Sequence, residues 1–218
     1  MVTSSRVKML VAVLLPVVGL MAMASPTSAT PVSATGAVTC SYGTTFSFSP
    51  PLKHGKGTVV PAGGKEVITV APATLGSCTG TATSGTVPSD GVGTKATTLT
   101  MPAIVLNGVT HVGGCDSLST FAPKLNTSSS IPKFAWTPSS DGVTKAPMTS
   151  APLAGGGALP YSFTFSGTAK GSFNGPVTLN TVFDSASSAA LMNCIGNGPG
   201  HISTLTVDPT QSSIELAG

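Results

Sequence analysis

The residues with the most chemical consequence in this chain are its four cysteines, Cys40, Cys78, Cys115 and Cys194. No two stand at CxxC spacing, so neither a zinc knuckle nor a redox dithiol has a local scaffold. An even number of cysteines in an exported chain predicts two disulfides, with three pairings open. Sequential pairing, Cys40 with Cys78 and Cys115 with Cys194, closes the shortest total loop and is the one expected. Each loop would restrict the unfolded chain by about 4 kcal/mol in the chain-entropy picture.

The remaining candidates for chemistry are dispersed. His54, His111 and His201 show neither HxH nor HExxH spacing and read as solvated or strand-face residues rather than ligands. Asp90-Gly91 and Asp141-Gly142 lack the DxDxDG frame of a calcium loop and read as turns. There is no GxSxG elbow, and a triad built from His111, Asp116 and one of many serines has only a hairpin and a polar loop behind it. The carboxylates, spread from Glu66 to Glu215, nominate no glycosidase pair. Gly155-Gly156-Gly157 and the GNGPG run from Gly196 to Gly200 lack the strand-then-helix setting of a phosphate cradle and read as loops. Asn126-Thr127-Ser128 matches a glycosylation acceptor only formally, and no glycan is expected there. No catalytic residue, metal ligand or cofactor is therefore assigned. Trp136, the single tryptophan, reads first as core, with a platform for a sugar ring or apolar ligand as its functional alternative.

What must position these residues begins with an address. The amino end, MVTSSRVK, carries only Arg6 and Lys8 and runs into an apolar stretch of about 16 residues containing Pro16. That stretch is shorter than the ~20 residues of a membrane-spanning helix and reads as a secretory signal. Cleavage fits after Ala24 or Ala29, the latter preferred, giving a signal over 1–29, a loose leader over 30–36 and one domain over 37–218. No lipid anchor and no membrane span are expected after cleavage.

Loss of Arg6 and Lys8 takes ten basic residues to eight against seven acidic ones, about +1, with no arginine left. The lysines stand singly, without the basic stripe that releases counterions from phosphates, so nucleic acid is set aside as a partner. A mature chain of about 190 residues needs only one core. The phrases PSDGVGTKA and PSSDGVTKA hint at duplication, but they are mostly turn residues and read as two similar hairpins.

The elements themselves are β-strands. Phe46 and Phe48 alternate with Ser47 and Ser49; Tyr161, Phe163 and Phe165 alternate with Ser162, Thr164 and Ser166, the period of a strand with one buried face. In AIVLNGVTHV, Asn107-Gly108 supplies the positive φ values of a type I′ hairpin turn. KFAWTP is another strand, and only SASSAALMN, over 185–193, reads as a helical turn or two. Nine to eleven short strands with frequent Gly and Pro predict an all-β chain: an antiparallel β-sandwich, Ig-like or jelly-roll-like, with a closed barrel second.

The order of VTCSY, TFSFSPPL, a cysteine in a Gly/Thr-rich segment at Cys78, Cys115, KFAWTPSSDG, YSFTFSGTAKGSFNG and a late Cys194 resembles that of secreted actinobacterial β-sandwich proteins of unknown function. The resemblance covers most of the mature chain and implies a fold and an address, but no reaction. The functional expectation is a secreted, non-enzymatic extracellular or cell-envelope protein, a structural or binding module with cell-wall polysaccharide or a surface protein as partner. A secreted hydrolase with a site assembled from loops is the alternative, and an envelope β-barrel pore the third.

Overall fold

The computed structural model describes residues 35–84, 87–137, 143–155, 160–196 and 198–217. The signal, the leader up to residue 34, the Asp141-Gly142 turn, Gly156-Gly157 and Asn197 lie outside the described residues. The elements in chain order are β1 (Thr35–Gly43), β2 (Thr45–Lys53), β3 (Thr58–Val60), β4 (Glu66–Val70), β5 (Thr74–Ser84), β6 (Asp90–Gly93), β7 (Thr97–Met101), β8 (Ile104–Leu106) and β9 (Val109–Val112). There follow α1 (Cys115–Leu118), β10 (Lys124–Leu125), β11 (Lys133–Thr137), β12 (Val143–Lys145), β13 (Met148–Ser150), β14 (Ser162–Gly171), β15 (Gly175–Val182), α2 (Ser185–Ile195), β16 (His201–Thr206) and β17 (Ser213–Ala217).

The chain is all-β, and every named strand pair is antiparallel. The sandwich expectation needs correction in one respect. The largest sheet does not stay open: β14 pairs with β12 on one side and β15 on the other, so β14-β12-β11-β6-β5-β1-β17-β15 returns on itself as an eight-stranded ring. Closure removes sheet edges along most of this sheet and, among the described residues, leaves the short appended β13 and β10 as its free end.

A four-stranded sheet, β16-β2-β4-β7, grows out of the ring. Its strands are continuations of ring strands: β1 runs into β2 through Thr44 alone, β4 into β5 through residues 71–73, β6 into β7 through 94–96, and β16 into β17 through 207–212. Backbone bonds at or beside the bends link them to neighbouring strands and bends. Ala71 N donates to Thr45 O (2.9 Å), Val207 N to Thr44 O (2.9 Å), Gly93 N to Ala73 O (2.7 Å) and Tyr42 N to Ser212 O (3.0 Å). Pro72 and Pro209, which have no amide to donate, fall in two of these bends. Strands that switch sheets at a shared corner let one set of residues build two packed layers. More strands are seen than the nine to eleven expected, since pieces as short as β6, β10 and β13 show no alternation of their own.

Between the layers, Tyr42, Phe134, Phe165 and Leu179 from the ring meet Phe46, Val70 and Leu99 around a void of about 30 Å³. The alternating aromatics behave as their period of two predicts: Phe46, Phe48, Phe163 and Phe165 are buried, and Ser47, Ser49 and Thr164 are exposed. Asn107 (φ 51°) and Gly108 (φ 79°) form the tip of the β8–β9 hairpin, to which β3 adds as a third strand. The disulfides join Cys40 to Cys78 and Cys115 to Cys194, at sequence separations of 38 and 79. The first cross-links β1 and β5 within the ring; the second ties the start of α1 to α2. The α2 helix is longer than the turn or two expected, because Asp184 caps it, its carboxylate accepting from Ser187 N at 2.7 Å, and Cys194 anchors its last turn.

Candidate functional site

The structure keeps the chemically able residues apart. The ring of Trp136 is 3% exposed, stands edge-on to Phe173 at 5.1 Å, and its Nε1 donates to Thr144 Oγ1 at 2.8 Å. A ring enclosed in this way has no face to offer a sugar, so the platform alternative is corrected and Trp136 is core. His111 lies on β9 with Nδ1 buried and without a partner, Asp116 is exposed in α1, and no serine hydroxyl bonds to His111 among the described residues. His54 Nδ1 lies 2.8 Å from Cys194 O; a carbonyl only accepts, so the ring donates from this nitrogen. His201 is exposed on β16. No three of the described His, Cys, Asp and Glu residues gather as a metal site would require. No described helix is long and apolar enough to cross a membrane.

Two carboxylates have shifted protonation, for opposite reasons. The side-chain bonds from Thr210 and Gln211 hold the half-buried Asp208 below the usual carboxylate range, stabilising a surface turn. Glu66, the first residue of β4, is fully buried, and burial pushes it up to about 7, opposed by the nearby backbone amide of Ser49. Neither of its oxygens finds a well-formed hydrogen bond. One oxygen lies against Gly113, where an added Cβ would sit 2.7 Å from it, and Gly113 holds φ at 67°. Glu66 was readable in the sequence, because in EVITV it is in phase with the buried Ile68 and Val70.

A spacious cleft of about 800 Å³ opens between β7 and the segment that runs from α1 through β10 to Ser130. Pro102, Ile104 and Ala122 give it apolar surface, with Leu99, Met101 and Phe121 buried behind them, and Thr98, Thr100, Ser117, Thr120 and Asn126 give it hydrogen-bonding groups. Lys124 is its one ionisable lining residue, and no carboxylate joins it. The far wall is prearranged by its own hydroxyls. Thr127 N donates to Ser130 Oγ (3.0 Å), Ile131 N to Thr127 O (2.9 Å), and Lys95 Nζ reaches across to Ser128 O at 3.3 Å. Such a lining can bind and orient a partner but has no pair of groups for proton transfer. Sequence reasoning missed this site because two segments, 98–104 and 117–130, meet only when the β8–β9 hairpin between them folds. The one local signal was TTLTMP, an uncharged strand stopped by a proline.

Compared with known proteins, the chain matches no family, no curated protein and no solved structure at a significant level.

Proposed function

We propose that this protein is an exported, non-enzymatic binding module of the extracellular space or cell envelope, and that the cleft beside β7 is its contact site. The observation that carries this reading is the cleft itself: about 800 Å³, lined by hydroxyls, an amide and aliphatic groups, with Lys124 as its lone ionisable member. Export is supported by the charged-then-apolar amino end and by the use of all four cysteines in disulfides, which persist in oxidising compartments. Signal removal over 1–29 would leave one domain over 37–218, whose buried side chains already form a contiguous cluster from Val38 to Leu216.

The test is co-sedimentation of the oxidised mature protein with whole cells and wall polysaccharide, together with cross-linking to extracellular proteins. Ala122 is exposed and lines the cleft, so Ala122→Trp blocks it without touching the core. Saturable binding that this variant loses supports the reading. Failure to bind cells, wall or extracellular proteins overturns it.

A further inference from the structure

The four-stranded sheet has two terminal strands, and only one is finished. On β16 the pairing with β2 is bulged between Ile202 and Thr204. The backbone at the strand's end is taken up by the segment leading into α2: Thr206 N donates to Ser187 Oγ at 2.8 Å, and Thr206 O accepts from Asp184 N at 3.0 Å. At the opposite side, β7 pairs with β4 in unbroken register from Thr97↔Val70 to Met101↔Glu66. Thr97–Met101 contains no proline, glycine or charge, and its outer amides and carbonyls meet no partner strand among the described residues. Natural sheets blunt such edges with lysine, proline, bulges or a covering element. β7 has none of these, and the cleft opens along it.

Across the cleft stands Lys124 of β10, the free end of the larger sheet. The cleft is therefore bordered by two strands at sheet ends, with a cation on one and no carboxylate in its lining. Flat sugar rings are usually held by aromatic faces and carboxylates; the one aromatic here, Phe121, is 9% exposed. We infer that the cleft takes an extended polypeptide bearing an acidic side chain, which adds as a strand to the outer edge of β7 and sets its carboxylate against Lys124. Main-chain bonds to β7 supply affinity, the alternate side chains meet the exposed Thr98, Thr100 and Ala122, and the acidic residue fixes register. This inference rests on the reading of the cleft as a contact site and narrows it to one class of partner.

The experiment is selection of random nine-residue peptides displayed on phage against the oxidised protein, with Ala122→Trp as counter-selection. Selected sequences are expected to be acidic and free of proline over five consecutive positions. A synthetic copy should slow amide exchange at the outward-facing positions of Thr97–Met101. It should lose at least tenfold in affinity when one central residue becomes proline, and at least tenfold on Lys124→Glu. An empty selection, or peptides that bind without protecting β7, overturns the inference. If wall material still binds and Ala122→Trp abolishes that binding, the contact site stands and only the peptide assignment falls. If neither peptides nor wall, cells or extracellular proteins bind, both fall.

Discussion

β16 and β7 end the same sheet, are of nearly equal length and differ in what the chain spends on them. At β16 it supplies an eleven-residue helix, a carboxylate cap on that helix, a serine that takes the last strand amide, and a disulfide to hold the helix down. At β7 it supplies an uncharged threonine strand facing a cleft. Covering an edge requires additional chain, and the ordering of that chain costs entropy unless something else holds it. The evenly spread hydrophobicity of SASSAALMNCI explains why a cross-link is used: a short helix with few large apolar side chains and no apolar stripe is marginal by itself. A bare edge is thus a local choice, made in a sheet whose other end shows the chain is able to finish one.

The largest effect on this comparison is expected from the disulfides. Cys115–Cys194 runs from α1, whose Ser117 lines the cleft, to α2, which covers β16. Replacing both cysteines by serine should cost about 4 kcal/mol of unfolding free energy, raise amide exchange in β16 and weaken binding at the cleft. Replacing Cys40 and Cys78 should cost a similar amount but leave cleft binding intact, because β1 and β5 are held together by their own ladder. Denaturation with a parallel binding titration separates the two; equal loss of binding in both would break the assignment of the second disulfide to the sheet's two ends.

Next in size is Glu66, whose register partner Met101 lines the cleft. Its folded value of about 7 lies above the unfolded value near 4.5, so the folded state holds the proton more tightly. The favourable contribution is full below pH 4.5, is lost as pH rises through 7, and is absent above. The total is on the order of 3 kcal/mol. Glu66→Gln should flatten this profile and be the more stable protein at pH 8, by urea denaturation at several pH values. Exchange in the wild type should quicken with pH at β7 beyond the intrinsic chemistry, and less so at β16. Parallel stability profiles for the two proteins would show that the carboxylate finds a partner when it ionises.

A smaller effect belongs to the cap. Asp184→Ala removes the acceptor for Ser187 N and should cost about 1 kcal/mol, loosening α2 and exposing β16 to exchange while β7 is unchanged. Should β7 respond equally, the two edges are coupled through the sheet and the contrast between them is weaker than the hydrogen bonds indicate.

How much of this was legible follows from the range of each signal. Period-two alternation identified the buried faces of Phe46 and Phe48 and of Phe163 and Phe165, because it depends only on strand geometry. Asn107-Gly108 announced its hairpin because few other residues accept two positive φ values in sequence. Sequential disulfide pairing also agreed with the structure. Ring closure was not legible, since pairing β15 with both β14 and β17 joins segments that share no local pattern. The four bends escaped notice for a related reason: a run such as 35–53 looks like two strands whether or not they belong to one sheet. The cleft is the extreme case, because the signal there is an absence of edge protection, visible only once β7 is known to be terminal.

The smallest change in stability accompanies the sharpest test of the edge. Thr98 is exposed, lines the cleft and belongs to the outermost strand. Lysine at this position leaves the β4 ladder and the core untouched, so Thr98→Lys should stay within about 0.5 kcal/mol of the parent. What it changes is the edge, which acquires the long, hydrated cation that natural sheets use to repel an added strand. A partner that binds by strand addition should then lose at least tenfold in affinity, while one that uses only Lys124 and the hydroxyls of the far wall should bind as well or, if acidic, better. Calorimetric titration of the selected peptide into parent and variant reads the difference. Retained affinity with unchanged stability would place the contact on the far wall and remove the edge from the account.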